Sequence, residues 1–447
     1  MTADLATGIF FTGILGLFWL DRDGALRVSR ALWIPVVWTL IAGSRMVSEW
    51  LQPGYVAESP EVLLDGSPLD RLVLAVLLGS GLMVLASRGP RVGAILRANG
   101  ALVVFFLYGA FSILWSDYPD VAGKRWIKAC GNVVMVLIVL TEADATAALK
   151  RFLARVGFLL IPLSILLIKY YPALGRTYHP FTWQPYYGGV ATGKNALGYL
   201  CLVLGLASLW RVLELRRRPR SAPGSRGVLL AHGVVLVMVL WLFRMADSIT
   251  PFVCLLVAGG LMLVAGSRAF AREPNGVHFL VGTGCVVLLC GLLLFGAAFT
   301  EALGRDATLT GRTALWDGLL SGVVDPVVGA GFESFWLGER LTRLWNQYWW
   351  RPNQAHNGYL EIYLNLGAIG VLLLVFVLLR GYRNVSIALR RDPETGRLKL
   401  AFLVAAVLYN LTEAAFKGIH LVWIASLIAV IYVPRPYVAP SEPEPDQ

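Results

Sequence analysis

Charge is scarce in this sequence. Asp, Glu, Lys and Arg make up only 15% of its 447 residues while 57% are hydrophobic, giving a mean hydropathy of +0.65; that excludes an ordinary soluble globular protein. Histidine and cysteine are rarer, at five each. Cys130, Cys201, Cys254, Cys285 and Cys290 all fall in apolar runs with no CxxC or Cys/His spacing. They read as small buried hydrophobes, with no disulfide framework and no zinc site. Metal-binding acid patterns are missing as well. Asp117/Asp120 and Glu333/Glu339 lack DxD-like spacing and read as solvent-facing, and His356 and Glu361 do not share a helical face, so neither a metal nor a cofactor is expected.

What the chain has in quantity is apolar sequence, in runs of about 17–22 residues, the length that crosses a hydrocarbon core. The net charge of +11 lies mostly in short loops between these runs. This is the signature of cytoplasmic loops and not of a nucleic-acid surface.

Loop charge predicts an alternating topology. Apolar runs fall near 5–20, 31–50, 69–87, 100–115, 127–141, 152–170, 194–213, 227–243, 250–266, 277–299, 358–379, 400–412 and 419–433. The first lacks a basic leader and a cleavage site and is expected to be retained, with the N-terminus outside. Loops carrying Arg22, Arg27 and Arg30, then Arg88, Arg91 and Arg97, then Lys150 and Arg151, the RRRPR run, Arg268 and Arg272, and Arg380 to Lys399 belong inside. Acidic and aromatic loops with Glu58, Glu61 and Asp65, WSDYPD, residues 171–193, Arg244 with Asp247, the 300–355 stretch, and Glu413 with Lys417 belong outside. The short 244–250 turn leaves open whether the runs beside it form one broken helix. No internal repeat of the transporter kind is visible.

The expected fold is therefore an all-α polytopic membrane protein with about 12–13 spans. Residues 1–170 would form an N-terminal transmembrane bundle, 171–299 central helices with an outer loop, 300–357 a large periplasmic loop, 358–433 C-terminal helices, and 434–447 a proline-rich, disordered cytoplasmic tail.

The outer segments carry the candidate chemistry. Arginine grips a diphosphate well because its planar fork donates in parallel to two oxygens and stays charged. Arg176, Arg305 and Arg312 lie in outer segments, and Lys194 opens a span in GKNALG, where a helix N-terminus would add its positive end. The plainer reading is lipid headgroups, or pairing with Asp306 and Asp317. Arg312 stands out in TGRTALW, where Thr310 is placed to cap a short helix and Trp316 shares its face. Among the histidines, His232, His278 and His420 read as core or interfacial groups satisfied by carbonyls, and His179 as a weaker candidate beside Arg176. His356 differs, since it precedes a span and is followed by Asn357 and Glu361. A histidine there can take a proton from a sugar hydroxyl. Trp345, Tyr348, Trp349 and Trp350 read first as an interfacial belt, with a sugar platform as the alternative.

Four motifs, GKNALG at 193–198, TGRTALW at 310–316, PVVGAGFESFW at 326–336 and AHNGYLEIYLNLGAIG at 355–370, occur in this order. Together they resemble the O-antigen ligase and Wzy-type polysaccharide polymerase superfamily, most closely its ExoQ-like exopolysaccharide polymerases. The resemblance covers roughly residues 175–420. His356-Asn357 with Gly367 and Gly370 is similar to the family's histidine motif, and Arg305 with Leu309 to its arginine motif. Ser248-Ile249-Thr250 stands where ligases often have an arginine, so either Arg244 or Lys194 substitutes for it, or this branch grips the donor differently.

The resemblance implies a metal-independent, inverting glycosyltransferase of the GT-C type, in the bacterial inner membrane with its site on the periplasmic side. It would polymerise undecaprenyl-diphosphate-linked repeat units. His356, Arg312, Asn357 and Glu361 would be catalytic, with Glu361 orienting the histidine, and Arg305, Arg312, Arg176, Lys194 and Arg244 would hold the diphosphate. Partners would be the lipid-linked glycan donor, a glycan acceptor, membrane lipids and chain-length or export proteins. A ligase acting on lipid A core is the alternative enzyme. A lipid-linked sugar transporter is the alternative class; it predicts buried, paired mid-span charges, for which Arg45 and Arg71 are the candidates, and both can snorkel to an interface.

Overall fold

The computed structural model describes residues 2–22, 28–52, 66–178, 183–217, 225–266, 276, 282, 308–322, 325–348 and 350–434. The expected span near 277–299, the tail beyond 434, and Arg268, Arg272, His278, Cys285, Cys290, Asp306, His179, Trp349 and Arg305 lie outside these residues.

The described chain is helical apart from one small hairpin. In order it forms α1 (Ala3–Leu20), α2 (Trp33–Ala42), α3 (Pro68–Ala86), α4 (Gly89–Ala98), α5 (Gly100–Phe111), α6 (Pro119–Leu140) and α7 (Ala145–Tyr170). The antiparallel strands β1 (Arg176–Tyr178) and β2 (Pro185–Tyr187) follow. Then come α8 (Lys194–Arg217), α9 (Ser225–Ala246), α10 (Ile249–Val264), α11 (Thr308–Ser321), α12 (Gly338–Gln347), α13 (Gly358–Arg391), α14 (Pro393–Tyr409) and α15 (Leu421–Val430). This is an all-α polytopic membrane protein.

Six helices among the described residues, α1, α3, α7, α8, α9 and α13, are long and apolar enough to cross a membrane, and α4–α5, bent by 90°, makes a seventh if counted as one span. Several expected spans are shorter: α15 has 10 residues. All ten residues of α15 are buried. A helix enclosed by protein is not bound to the hydrocarbon thickness, because its ends can be satisfied by neighbouring chain. The question at 244–250 is answered by a corner, with Asp247 at φ 45° between α9 and α10.

Helices α7, α8, α14 and α15 form the centre, packed through Phe152, Phe158, Trp210 and Phe402. Peripheral α1 and α3 turn Phe11, Trp19, Val76 and Met83 outward, an apolar surface suited to lipid.

Loops sort to the two ends as their charge predicts. At one end, Ser29 and Arg88 bind Glu142 (Oγ to Oε1 and Nη2 to Oε1, both 2.5 Å), Arg151 binds Asp21 at 3.1 Å, and Arg217 reaches Glu394 at 3.4 Å. Burial alone would raise the Glu142 carboxyl, but the hydrogen bonds from Ser29 and the Arg88 guanidinium outweigh it and hold it below the usual carboxylate range. At the other end, Arg45 donates to the carbonyls of Leu174 (2.5 Å) and Ala191 (3.0 Å), Ser116 meets Ser334 at 2.7 Å, and Arg340 pairs with Asp117 at 2.6 Å.

Two expectations about charge need correction. Arg45 lies beyond the end of α2, and Arg71 is exposed in the first turn of α3, so neither is a mid-span charge. The buried ions sit elsewhere: Lys150 of α7 and Arg211 both pair with Glu214 of α8, the lysine at 2.5 Å. Glu333 is also not simply solvent-facing, because it accepts the Gly418 amide at 2.5 Å.

The feature that positions the candidate site is a break in α13. Gly367 has φ 63° and ψ −167°, and a Cβ there would lie 2.2 Å from the Val327 carbonyl oxygen. Only glycine tolerates that approach. Residues 326–331 lie along the break: Ala330 and Gly331 donate to the carbonyls of Leu364 (3.1 Å) and Asn365 (2.8 Å), and Ala368 and Ile369 donate to those of Pro326 (2.9 Å) and Val327 (3.2 Å). The PVVGAG and NLGAIG sequences are therefore two halves of one hydrogen-bonded joint, which satisfies the backbone groups freed by the break.

Candidate functional site

The site forms where the α14–α15 turn meets the entry to α13. Asn410 closes the turn, its Oδ1 accepting from the amides of Ala415 (2.8 Å) and Phe416 (3.1 Å). Its carbonyl accepts the Gly358 amide at 2.8 Å, and a Cβ on Gly358 would lie 1.9 Å from Asn410 Oδ1. This contact holds residues 355–358 against residues 410–413.

Glu413 is the hub. Its Oε2 is 3.1 Å from His356 Nδ1, and its Oε1 is 3.3 Å from Arg312 Nη2 and 3.2 Å from Asn195 Nδ2. Arg312 also donates Nη1 to the Thr412 carbonyl at 2.7 Å. Ser248 donates to Asn195 Oδ1 at 3.1 Å, and Thr250 lies 3.0 Å from Thr412, hydroxyl to hydroxyl. The Ser248-Ile249-Thr250 step thus joins the network through hydroxyls where a cation was looked for. Glu413 is buried, whereas Arg312 and His356 keep 25% and 21% of their side chains exposed. The carboxylate is spent inside while both partners stay open to a ligand.

His356 sits in a strained backbone, with φ 50°. The segment before it is pinned on both sides, as the Ala355 carbonyl accepts from Trp316 Nε1 at 2.7 Å and the Ala355 amide donates to Glu361 Oε2 at 2.9 Å. Trp336 Nε1 donates to Glu361 Oε1 at 2.7 Å. Glu361 therefore holds the backbone ahead of the histidine, and Glu413 takes the imidazole, the part expected for Glu361. Asn357 is the N-cap of α13: its Oδ1 accepts from the amides of Tyr359 and Leu360, both at 3.0 Å, and its Nδ2 donates to the Leu411 carbonyl at 3.1 Å.

The remaining cations are placed differently. Lys194 begins α8 next to Asn195 and lies 4.9 Å from the Tyr186 ring. Arg176 donates Nε to the Ile168 carbonyl at 2.9 Å and stacks on Tyr187 at 5.6 Å. Arg244 is exposed in the last turn of α9 and is not drawn into the Glu413 network. Arg312 pairs with Glu413 and not with Asp317, and Thr310 lies inside α11 instead of capping it. Among the described residues no three His, Cys, Asp or Glu side chains converge to hold a metal.

The other described histidines are structural. His420 is the N-cap of α15, its Nδ1 accepting the Val422 amide at 3.2 Å. His232 is buried, 3.5 Å from the Ser208 hydroxyl and 3.6 Å from Asp21. Both have side-chain or backbone N–H neighbours where a carbonyl was expected.

Reading the sequence missed Glu413, Asn195 and Thr412 as site residues. The signal was the polar Asn410-Leu411-Thr412-Glu413 step closing an apolar run on the side where loop charge also puts His356.

No family model matches the chain. The exopolysaccharide production protein ExoQ of Rhizobium meliloti (strain 1021) is 26% identical to it over 336 residues, covering 69% of this chain and 70% of that protein. The chain resembles ExoQ-like proteins over most of its length. Each ExoQ-like motif has a definite place in the fold. GKNALG opens α8 beside Glu413, TGRTALW carries Arg312 on α11, and the other two motifs form the joint at Gly367 and the turn at His356.

Proposed function

We propose that the chain is a membrane glycosyltransferase of the GT-C type that polymerises undecaprenyl-diphosphate-linked repeat units into an exopolysaccharide, on the periplasmic face of the bacterial inner membrane and without a metal. The observation that carries this reading is the Arg312–Glu413–His356 arrangement, an anion-binding group and a proton acceptor held by one buried carboxylate. The similarity to ExoQ, an exopolysaccharide production protein, supports exopolysaccharide over lipid A core as the product. The basic loops gathered at the opposite end support the periplasmic assignment.

In this mechanism an acceptor hydroxyl attacks the anomeric carbon of the donor glycan. The new C–O bond forms as the bond to undecaprenyl diphosphate breaks, which inverts the anomeric centre. Glu413 holds Nδ1, so Nε2 of His356 takes the hydroxyl proton. The diphosphate leaves as an anion. Arg312 uses two of its nitrogens in the protein and retains N–H groups for a phosphate oxygen, with Lys194 at the α8 N-terminus and Arg176, Arg305 and Arg244 as further cations.

The test is purified protein supplied with a lipid-linked repeat unit. A ladder of products lost in His356→Ala and Arg312→Ala is expected, and Arg312→Lys should lose most activity because a point charge cannot replace the fork. A single transfer without a ladder identifies a ligase, and transbilayer movement of the unit without product identifies a transporter.

A further inference from the structure

The aromatic residues beside His356 differ in what they leave open. Trp316 spends its indole N–H on the Ala355 carbonyl. Trp345 donates to the Pro352 carbonyl at 3.0 Å and has the Arg351 guanidinium over its ring at 5.4 Å. Tyr348 anchors to the Ala314 carbonyl on α11 at 3.1 Å. Trp350 is the open one, 37% exposed, with its ring centroid 6.4 Å from the His356 imidazole and 5.9 Å from the Tyr348 ring.

The backbone keeps it there at a cost. Arg351 and His356 both have left-handed φ, 48° and 50°, a conformation that is unfavourable for a residue with a side chain. Such strain gathers where a side chain must be presented in one orientation. Nε2 of His356 carries no hydrogen bond among the described residues, since the ring is held through Nδ1. An open indole face and a free imidazole nitrogen therefore lie side by side. Trp350 sits between the histidine and Tyr348, which is bonded to α11, the helix that carries Arg312.

We infer that Trp350 is the platform for the acceptor sugar: the C–H face of a pyranose ring stacks on the indole, and a hydroxyl at the ring's edge reaches His356 Nε2. The electron-rich face of an indole attracts the polarised C–H groups of a sugar, and tryptophan offers this area at small entropic cost. This inference rests on the glycosyltransferase reading for its role, and its binding test does not require turnover.

The experiment is saturation-transfer NMR on the full chain in phospholipid nanodiscs, which contain no sugar, with methyl β-D-glucopyranoside and methyl β-D-galactopyranoside as probes. Saturation of the ring C–H protons of at least one probe is expected, reduced about fivefold or more in Trp350→Ala, largely kept in Trp350→Phe, and unchanged in Trp183→Ala, which removes an exposed tryptophan of the β1–β2 turn. Trp350→Gln serves if the alanine variant fails to fold. No transfer in the wild type, or equal transfer in Trp350→Ala, overturns the inference. With a lipid-linked acceptor, Trp350→Ala should raise the acceptor KM about tenfold with kcat little changed; a fall in kcat at unchanged KM also overturns it. Wild-type protein that makes no glycan product overturns the polymerase reading instead.

Discussion

Glu413 and His356, 57 residues apart in the chain, are joined by a 3.1 Å hydrogen bond from the last interhelical turn to the entry of α13. The same carboxylate holds Arg312, so the proposed proton acceptor and the proposed anion-binding group share one support.

Replacing Glu413 tests this coupling. Glu413→Gln keeps the shape but loses the charge; kcat should fall at least about 100-fold, and up to about 10⁴-fold as when the carboxylate that orients a general-base histidine is neutralised, with the protein still folded. Steady-state kinetics with the lipid-linked unit measure it, and unchanged kcat would separate the carboxylate from the chemistry.

Glu361 should behave differently, because it holds backbone. Glu361→Ala leaves the Ala355 amide and Trp336 Nε1 without their acceptor, at about 1–3 kcal/mol for each buried donor. Thermal unfolding should show a clear drop in Tm together with loss of activity. Glu361→Gln, which retains an acceptor oxygen, should recover part of both.

The joint in α13 predicts a sharp contrast between glycines. Gly367→Ala places a Cβ against the Val327 carbonyl in a left-handed backbone, and the resulting shift should lower Tm strongly or prevent folding. Gly79→Ala in α3, where a Cβ meets nothing within 4 Å, should be neutral or stabilising by up to about 1 kcal/mol.

Glu142 predicts a pH dependence at the opposite end. Its carboxyl is lower in the folded protein than in the unfolded chain. Its contribution to stability is therefore complete above the unfolded value, about 4.3, and is lost as pH falls through the folded value. Wild-type Tm should decline with acidification through this window, and Glu142→Gln should start lower and show a shallower decline.

The class of the protein was legible because it depends on quantities that add along the chain. Apolar runs and basic loops determine that the protein spans a membrane and which loops share an end, and the ion pairs of Glu142 and Asp21 at one end agree with that count. His356 and Arg312 were legible too, as rare polar residues in motifs at the ends of apolar runs. The length and burial of helices were not: α15 runs only from Leu421 to Val430 because protein encloses it, a fact about neighbours and not about its own residues.

Which acid serves which base was decided by the tertiary structure alone. Glu361 is close to His356 in sequence, but the helix that starts at Gly358 carries its carboxylate to Ala355 and Trp336. Glu413 reaches the imidazole because Gly358 lets the turn at Asn410 approach to backbone contact. Hydropathy and charge are properties of segments and survive in the sequence; a hydrogen bond between distant segments depends on their relative placement, which only packing defines.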